Sequence, residues 1–375
     1  MRRPAARPPK RRSPPWWPAR PEHGEENFCG GRFGAEFQWH LDPECRVDAV
    51  CDLKEDARRR LSQVYRCGTT YASFDEMLRH PGLNAVGIFT PAPLHVPMAV
   101  QALKAGKHVI SAVPAGMNVA ELELLLDTVR STGLRYMMAE TSYYRPEIIT
   151  CRQWAREGRF GTIFHSEAEY HHEGLISLMF DSGGKPTWRH GFPPMLYPTH
   201  STGLVIPVIN ERLSEVTCLG WGDGHDVLRS NVYGNPFWSE SAFFKTASGR
   251  ACRIMVSWHI AAGGVERGLF YGDKLSYVMG RPEGSPNTVF QGEKREARQE
   301  PDYFDTLPEP MRVRTGHGNS HTFITHEFVR SIVEQRHPSV NVWEAVAYTL
   351  PGIVAHQSAL AGGALMKIRD YGRAV

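Results

Sequence analysis

The stretch "LNAVGIFTPAPLHVPMAVQALKAGKHVISAVP", Leu83 to Pro114, decides the fold. "LNAVGIFT" is a short apolar run and reads as a buried strand. "HVPMAVQALKAG" carries apolar residues at helical spacing and is closed by Gly106, the residue best suited to end a helix. "KHVISAV" is a second short apolar run and a second strand. A strand, a crossover helix and a strand within roughly thirty residues form a parallel βαβ unit.

The alternation continues in both directions. Upstream, "RVDAVCD" reads as a strand, "EDARRRLSQVY" as a helix, and "FDEMLRH" as a helix with Ser73 at its N-cap. Downstream, "VAELELLLDTVRSTG" is a helix and "RYMMAET" a strand. Residues 29–145 are therefore expected to form a doubly wound, Rossmann-like dinucleotide-binding domain. "YYRPEIITCRQWAREGRFG" reads as a linking helix. Beyond it the pattern turns β-rich, in "TIFHSEAEYHHEG", "RLSEVTCLGWGD", "ESAFFKTASGRACRIMVSWHI" and "ERGLFYGDKLSYVMG", with turns such as "RPEGSPNT" between. This predicts a second α/β domain over residues 146–375, built on an open, mostly antiparallel sheet. Its terminal helices, "THEFVRSIVEQRH" and "VWEAVAYTLPGIVAHQSALAGG", should pack back.

"CGGRFGAEF", Cys29 to Phe37, resembles the glycine turn that lets a backbone approach a pyrophosphate at a helix N-terminus. Gly30, Gly31, Arg32 and Phe33 are its cofactor-facing candidates. Asp52 ends the next strand, where a carboxylate takes the ribose hydroxyls and repels a 2′-phosphate. That placement favours NAD over NADP. The alternative for Asp52 is a helix cap ahead of "KEDARRR". A buried apolar strand should precede the glycine turn, and the charged "RPEHGEENF" cannot be one. The first strand of the domain is missing from the sequence. Residues 1–28, dense in Arg and Pro, are expected to be a disordered or non-native tail. A misplaced start or a shifted reading frame would account for both features. The paired arginines lack the apolar segment of an export signal.

The chain has 375 residues, 41% hydrophobic and 22% charged, enough for two domains with cores. Much of its net charge of +3 comes from the arginines before residue 21, which argues against a basic nucleic-acid surface. Seven scattered cysteines without a CxxC pair indicate neither a zinc ribbon nor a disulfide framework, and fit a reducing, cytoplasmic setting. No apolar run is long enough for a membrane span.

At "FTPAPLHVPMAVQALKAGKHVISAVP" the chain resembles the Gfo/Idh/MocA superfamily of NAD(P)-dependent sugar and inositol oxidoreductases. Thr90, Pro91 and His95 match the family's T-P-x-x-x-H loop, and "AGKHV" matches the lead into its E-K-P motif. The resemblance implies that these three residues, with Val113 and Pro114, line the cofactor pocket. Ala112 and Val113 stand where that family usually has Glu and Lys. The usual lysine assists proton transfer, and valine cannot. One branch tends to carry valine there: enzymes resembling the NAD-dependent α-N-acetylgalactosaminidases. These oxidise a sugar carbon transiently, eliminate the aglycone, add water and reduce again. "PMLYPTHSTGLVIP", Pro194 to Pro207, looks like that branch's Y-P-T-H-G-x-G segment, with Ser201 and Thr202 intervening before Gly203.

The residues themselves point to proton handling at "YPTH". Pro198 suits the first turn of a helix, so Tyr197 and His200 can face one cleft. A helix N-terminus disfavours imidazolium and would keep His200 neutral, able to accept a carbinol proton while Tyr197 passes or donates one. The alternative is a core tyrosine and a capping histidine. In "EAEYHHEG", alternation puts Tyr170 and His172 on one face and Glu167, Glu169, His171 and Glu173 on the other. These can hold substrate hydroxyls. With His200 they also admit a metal, but no metal-ligand spacing is present and none is assigned. "GKPTWRHG" offers Trp188 to stack on a sugar face and Arg189 to pair with it. "GHGNSHTF" is expected to be a second pocket loop, with His317 and His321 four apart.

The expected function is NAD-dependent hydride transfer at a hydroxyl of a sugar, glycoside or cyclitol. Redox-neutral glycoside cleavage is the alternative within that chemistry, and a non-catalytic sugar-binding subunit is the alternative outside it. A small carbohydrate is the expected partner, together with a second copy of the chain through the antiparallel sheet, without nucleic acid or membrane.

Overall fold

The computed structural model describes residues 34–222, 225–261, 263–281 and 284–374. The expected tail over residues 1–28 and the glycine-turn candidates Gly30, Gly31, Arg32 and Phe33 lie outside them.

The first domain carries β1 (Val50–Cys51), α1 (Glu55–Tyr65), β2 (Thr70–Tyr71), α2 (Phe74–Leu78), β3 (Ala85–Ile88), α3 (His95–Lys104), β4 (His108–Ser111), α4 (Val119–Thr132) and β5 (Tyr136–Met138). The helices follow their sequence signals. Ser73 Oγ accepts the Glu76 amide at the start of α2. Asn118 accepts the Glu121 amide at 3.0 Å while Glu121 reaches back to the Met117 amide at 2.7 Å, a reciprocal cap on α4. Beyond α4, Gly133 adopts φ 67°, a left-handed exit that suits glycine.

The strands are parallel but fall into two sheets, β1-β2 and β3-β4-β5. Among the described residues no strand joins them. In the doubly wound order the first strand sits between the second and the fourth, which is where this sheet is divided. Phe37 is fully buried beside the division and stacks on Phe89, ring centroids 4.5 Å apart.

From β5, α5 (Pro146–Arg156) leads into β6 (Ile163–His171). The second domain continues through α6 (Thr199–Ile209), β7 (Leu213–Trp221), β8 (Ser239–Thr246), β9 (Ala251–Ser257), β10 (Val265–Gly272), β11 (Ser276–Val278), β12 (Asn287–Gln291), β13 (Lys294–Arg298), α7 (Ser320–Val333), α8 (Val342–Leu360) and β14 (Met366–Lys367). One nine-stranded sheet runs in the order β13-β12-β11-β10-β6-β9-β8-β7-β14. Its pairings are antiparallel except β6 with β9. The α/β reading, with a parallel first domain and a mostly antiparallel second sheet, is what the structure has.

One face of the sheet is covered by α6 and α8, which bury Ala168, Val216, Ala242, Ile254 and Phe270. The other face shows Leu219 and Phe243 to solvent beside ion pairs such as Arg267–Glu169. The Met138 amide donates to the Val340 carbonyl at 3.0 Å, tying the last parallel strand to the segment ahead of α8. Among the described residues no helix is long and apolar enough to cross a membrane, and the six described cysteines are free thiols.

Candidate active site

The site forms where the end of β5 meets the start of α6. A short 3-10 turn, Pro194–Leu196, delivers Tyr197, and Pro198 precedes the first residue of α6. His200 is therefore in the opening turn of the helix. Its Nδ1–H donates to Glu140 Oε1 at 2.9 Å, and both side chains are buried. Glu140 lies just past β5, at the carboxyl end of a parallel strand, where open α/β sheets place their ligands. The same oxygen accepts the Ser142 amide at 2.9 Å. With its proton directed to Glu140, the imidazole has Nε2 left to accept another.

The electrostatics differ from the expectation for a helix N-terminus. Burial alone would push the His200 imidazole down, but the Glu140 carboxylate outweighs it and Glu266 adds to the effect, so its proton affinity is raised. Burial likewise pushes Glu140 up, and His200 more than reverses this, leaving it below the usual carboxylate range. His200 is thus a carboxylate-backed imidazole rather than one kept neutral by the helix dipole. A full negative charge in hydrogen-bond contact exceeds the half-charge of a helix end.

A second, partly buried ion pair supports the first. Arg145 grips Glu266 of β10 through two bonds, Nε to Oε1 at 2.8 Å and NH2 to Oε2 at 2.7 Å. Ser142 Oγ donates to Glu266 Oε1 at 2.5 Å. Burial pushes the Glu266 carboxyl up, and Arg145 overrides it and holds it at about 2.

Aromatic rings enclose His200. The Tyr170 ring lies 4.9 Å from it and the Tyr197 ring 5.3 Å, and the two phenols stack at 6.3 Å. The Trp258 ring closes the box at 5.7 Å from Tyr170 and 5.9 Å from Tyr197. Burial raises both phenols, and for Tyr197 the neighbouring Arg189 opposes the rise. Both therefore keep their protons at neutral pH. The Arg189 guanidinium sits over the Trp188 ring at 4.2 Å, so one face of Trp188 is occupied by a cation–π contact, and its edge meets Phe192 at 5.4 Å.

His172 is half-buried, 6.0 Å ring to ring from Tyr170, with Nδ1 on the Glu173 carbonyl at 2.6 Å. Burial and then Arg189 and His200 lower its imidazole against that bond. Alternation along β6 holds as expected. Glu167 and Glu169 are turned to the far side of the sheet from Tyr170, where Arg253 and Arg267 pair with them. The carboxylates of "EAEYHHEG" are therefore not gathered around His200.

His317 reaches the same region. Its imidazole is pushed down by burial and then by His200. It opens a run of three left-handed residues, with φ 52° at His317, 65° at Gly318 and 70° at Asn319. Such backbone is uncommon outside glycine and gathers at functional sites. His321 belongs to the first turn of α7 rather than to a loop, and is fully buried. Glu36, His317 and His321 each bring one potential ligand atom within 4.8 Å of the others.

On the cofactor side, Val113 and Pro114 are buried ahead of α4, joined by a cis peptide bond. His95 is buried with Nδ1 2.8 Å from the Pro114 carbonyl and Nε2 2.8 Å from the Thr90 carbonyl. Burial favours its neutral form, which donates to one of the two. His95 thus clasps the Thr90–Pro91 loop to the Val113–Pro114 loop and leaves no ring nitrogen for a ligand. Thr90 Oγ1 is buried without a partner among the described residues, as a hydroxyl meant for a bound molecule would be. Asp52 is buried, and its Oδ1 accepts the Lys54 amide at 2.9 Å. The N-cap of α1 is Lys54, so Asp52 braces the turn before the helix rather than capping it.

Glu140, Ser142, Arg145 and Glu266 were not among the sequence candidates. Glu140 had a readable signal, an acid at the carboxyl end of a parallel strand. Arg145 and Glu266 had none, being brought together across 121 positions.

Residues 28–140 match the model of the Gfo/Idh/MocA oxidoreductase family with an NAD-binding Rossmann fold. A glycosyl hydrolase family 109 protein of Shewanella amazonensis is 31% identical over 53% of this chain and 46% of its own length. An α-N-acetylgalactosaminidase of Bacteroides fragilis is 31% identical over 48% of this chain and 46% of its own. These alignments span about half the length of either relative. The myo-inositol 2-dehydrogenase structure from Lactobacillus plantarum superposes with a TM-score of 0.70 at 17% identity, over 91% of this chain and 97% of that one, which shows a shared fold. The parallel strands, with their clasped Thr90 and Pro114 loops, are thus the part of the chain that is similar to the NAD-binding Rossmann domain of the Gfo/Idh/MocA oxidoreductase family.

Proposed function

We propose that this chain is an NAD-dependent enzyme of carbohydrate chemistry, in which His200, backed by Glu140, takes the proton of a substrate carbinol as its hydride leaves. The observation that carries the reading is the buried His200–Glu140 bond inside a box of tyrosines. A carbinol cannot lose hydride without losing its hydroxyl proton, and Val113 cannot take it. A histidine with a raised proton affinity can, and the carboxylate stabilises the imidazolium that results.

The residues present fit a dinucleotide. The Thr90 hydroxyl, which has no partner among the described residues, the Pro91, Val113 and Pro114 loops and the Asp52 carboxylate would hold it, and Asp52 would select NAD over NADP by repelling a 2′-phosphate. When bound, nicotinamide supplies a hydride acceptor and donor. Tyr197 keeps its phenolic proton and can donate it to the substrate oxygen. Tyr170, His172, Arg189 and His317 lie near His200 and Tyr197 and would hold the sugar hydroxyls.

A second reading is redox-neutral glycoside cleavage. It is favoured by the family 109 relatives and by the α-N-acetylgalactosaminidase among them. Cleavage needs a further proton transfer, from the carbon beside the transient carbonyl. Tyr197, 5.3 Å ring to ring from His200, is a second group able to move one.

One experiment separates the outcomes. The protein is incubated with NAD⁺ and a panel of free sugars, cyclitols and aryl glycosides, following NADH and released aglycone together. Accumulating NADH supports dehydrogenation, and aglycone without NADH supports cleavage. Sugar binding with neither product and no NAD⁺ affinity would leave a sugar-binding subunit.

A further inference from the structure

Resting on the reading that Tyr197 and His200 handle the substrate proton, we propose that Glu240 and His356 are positioning residues, which hold the backbone ahead of Tyr197 and so aim both side chains. Neither residue belongs to the aromatic box or to the cofactor cleft.

Glu240 is on β8, fully buried, on the face covered by α8. Its Oε2 accepts the Met195 amide at 2.7 Å. Its Oε1 accepts from His356 Nδ1 of α8 at 2.8 Å. The Met195 amide lies in the first turn of the Pro194–Leu196 segment, where helical geometry offers no acceptor. An uncharged acceptor would satisfy it. A carboxylate with a histidine behind it is costly to bury and is poor evidence for stability alone. What the pair adds is direction, because among the described residues each oxygen has its own partner and the two bonds together fix the carboxylate's orientation.

Three further contacts act on the same segment. Trp258, whose ring faces Tyr197, donates its indole N–H to the Phe192 carbonyl at 2.9 Å. Thr202 Oγ1 donates to the Tyr348 carbonyl at 2.8 Å, fastening α6 to α8. Gly352 of α8 leaves no room for a side chain: a Cβ there would lie 2.0 Å from the Met195 carbonyl oxygen and 2.5 Å from Pro198 Cγ. The stretch from Phe192 to Pro198 is pinned from the sheet and pressed from α8. Tyr197 itself has φ −123° and ψ 51°, outside helix and strand, so no regular element sets its direction. The anchors must do so. Misplacing a reacting group by about 1 Å costs about 10²-fold in rate.

The test compares Glu240→Ala, His356→Ala and Gly352→Ala with Glu240→Gln, whose amide oxygen can still accept the Met195 N–H. The readouts are kcat, KM, NAD⁺ affinity and amide hydrogen exchange across residues 192–200. In the three alanine variants, kcat should fall about 10- to 100-fold, with KM and NAD⁺ affinity within about threefold, and exchange should rise in that segment alone. Glu240→Gln should recover most of kcat. Retained kcat despite raised exchange would overturn the proposal. So would a joint loss of kcat and NAD⁺ affinity with raised exchange throughout, which is the mark of a merely structural pair. Gly352→Ala keeps the carboxylate and histidine intact and shows whether placement of the segment alone governs kcat, and His356→Ala decides the role of the pair if Glu240→Ala does not fold. Should the wild type turn over no substrate, the functional reading fails, while the exchange pattern still decides whether Glu240 and His356 hold the segment.

Discussion

Gly203 and Glu140 are packed so closely that a Cβ on the glycine would lie 2.7 Å from Glu140 Cγ. Gly203 is one turn along α6 from His200, and its missing side chain is what lets the carboxylate approach the imidazole. Gly203→Ala should therefore impair catalysis, even though alanine is the better helix former. The propensity gain is about 1 kcal/mol, and overpacking a filled site costs about 1–3 kcal/mol. Melting temperature should change little or fall, and kcat should fall about tenfold as the pair is pushed apart, given the steep dependence of proton transfer on geometry. Unchanged kcat would show that the His200–Glu140 contact is dispensable.

The same contact predicts a pH dependence. His200 must be unprotonated at Nε2 to accept the carbinol proton, so kcat/KM should rise with pH through an imidazole value above its ordinary 6.5. Glu140→Gln removes the largest cause of the rise and leaves the lowering by burial. The acid limb should then move to lower pH, with a rate loss of about 10²-fold from the unsupported imidazolium. The stability signs follow. The raised His200 contributes fully below 6.5, and its contribution is lost as pH rises through the folded value. The lowered Glu140 contributes above 4.5, and its contribution is lost as pH falls through the folded value. The pair should therefore stabilise most between those limits. A Glu140→Gln enzyme whose acid limb stays in place would separate the limb from His200.

His200→Ala should abolish turnover, a loss of about 10²–10⁴-fold, while NAD⁺ affinity stays within a few-fold, because the imidazole sits in the second domain. Tyr197→Phe should cost as much or less. Val113→Lys should rescue neither, since the buried site would have to solvate a new cation. Most activity remaining in His200→Ala would point instead to His172 and His317.

Asp52→Ser combined with Leu53→Arg should move cofactor preference towards NADP. Leu53 is exposed and can carry the cation, and the serine removes the repelling carboxylate. Tighter binding of NADP than NAD by the wild type would refute the assignment.

Arg145→Met should be the most destabilising of these changes. It strands the largely buried Glu266 carboxylate, and breaking a buried pair from one side costs up to about 3–5 kcal/mol. Arg145→Met combined with Glu266→Met should recover part of the loss. Denaturant unfolding of both variants measures the difference.

Local pattern carried the sequence reading as far as local physics extends. The 3.6-residue spacing of "EDARRRLSQVY" set α1 residue for residue, and alternation placed Tyr170 and His172 opposite Glu167 and Glu169. The three-residue step from Tyr197 to His200 did bring those rings together. The charge around His200 was out of reach, because its partner is 60 positions away and the raised proton affinity belongs to the pair. His95 was read as a cofactor contact from its motif, and only the fold shows both ring nitrogens turned to carbonyls. "GHGNSHTF" reads as a loop, but the helix begins at Ser320 and takes His321 into its first turn.

The division of the parallel sheet has a consequence for cooperativity. Among the described residues, Val50, Leu61, Tyr65 and Cys67 form an apolar cluster of their own, separate from the core that includes β3, β4 and β5. A region with its own small core can open at a lower free energy than the body it leans on. Asp52 follows directly on β1 of that region. A dinucleotide held by Asp52 on one piece and by Thr90 on the other would bridge them, and its binding would be linked to the melting of the smaller one. The cofactor would act as a mechanical tie as well as a reagent. Saturating NAD⁺ should slow amide exchange over residues 50–71 more than anywhere in the antiparallel sheet.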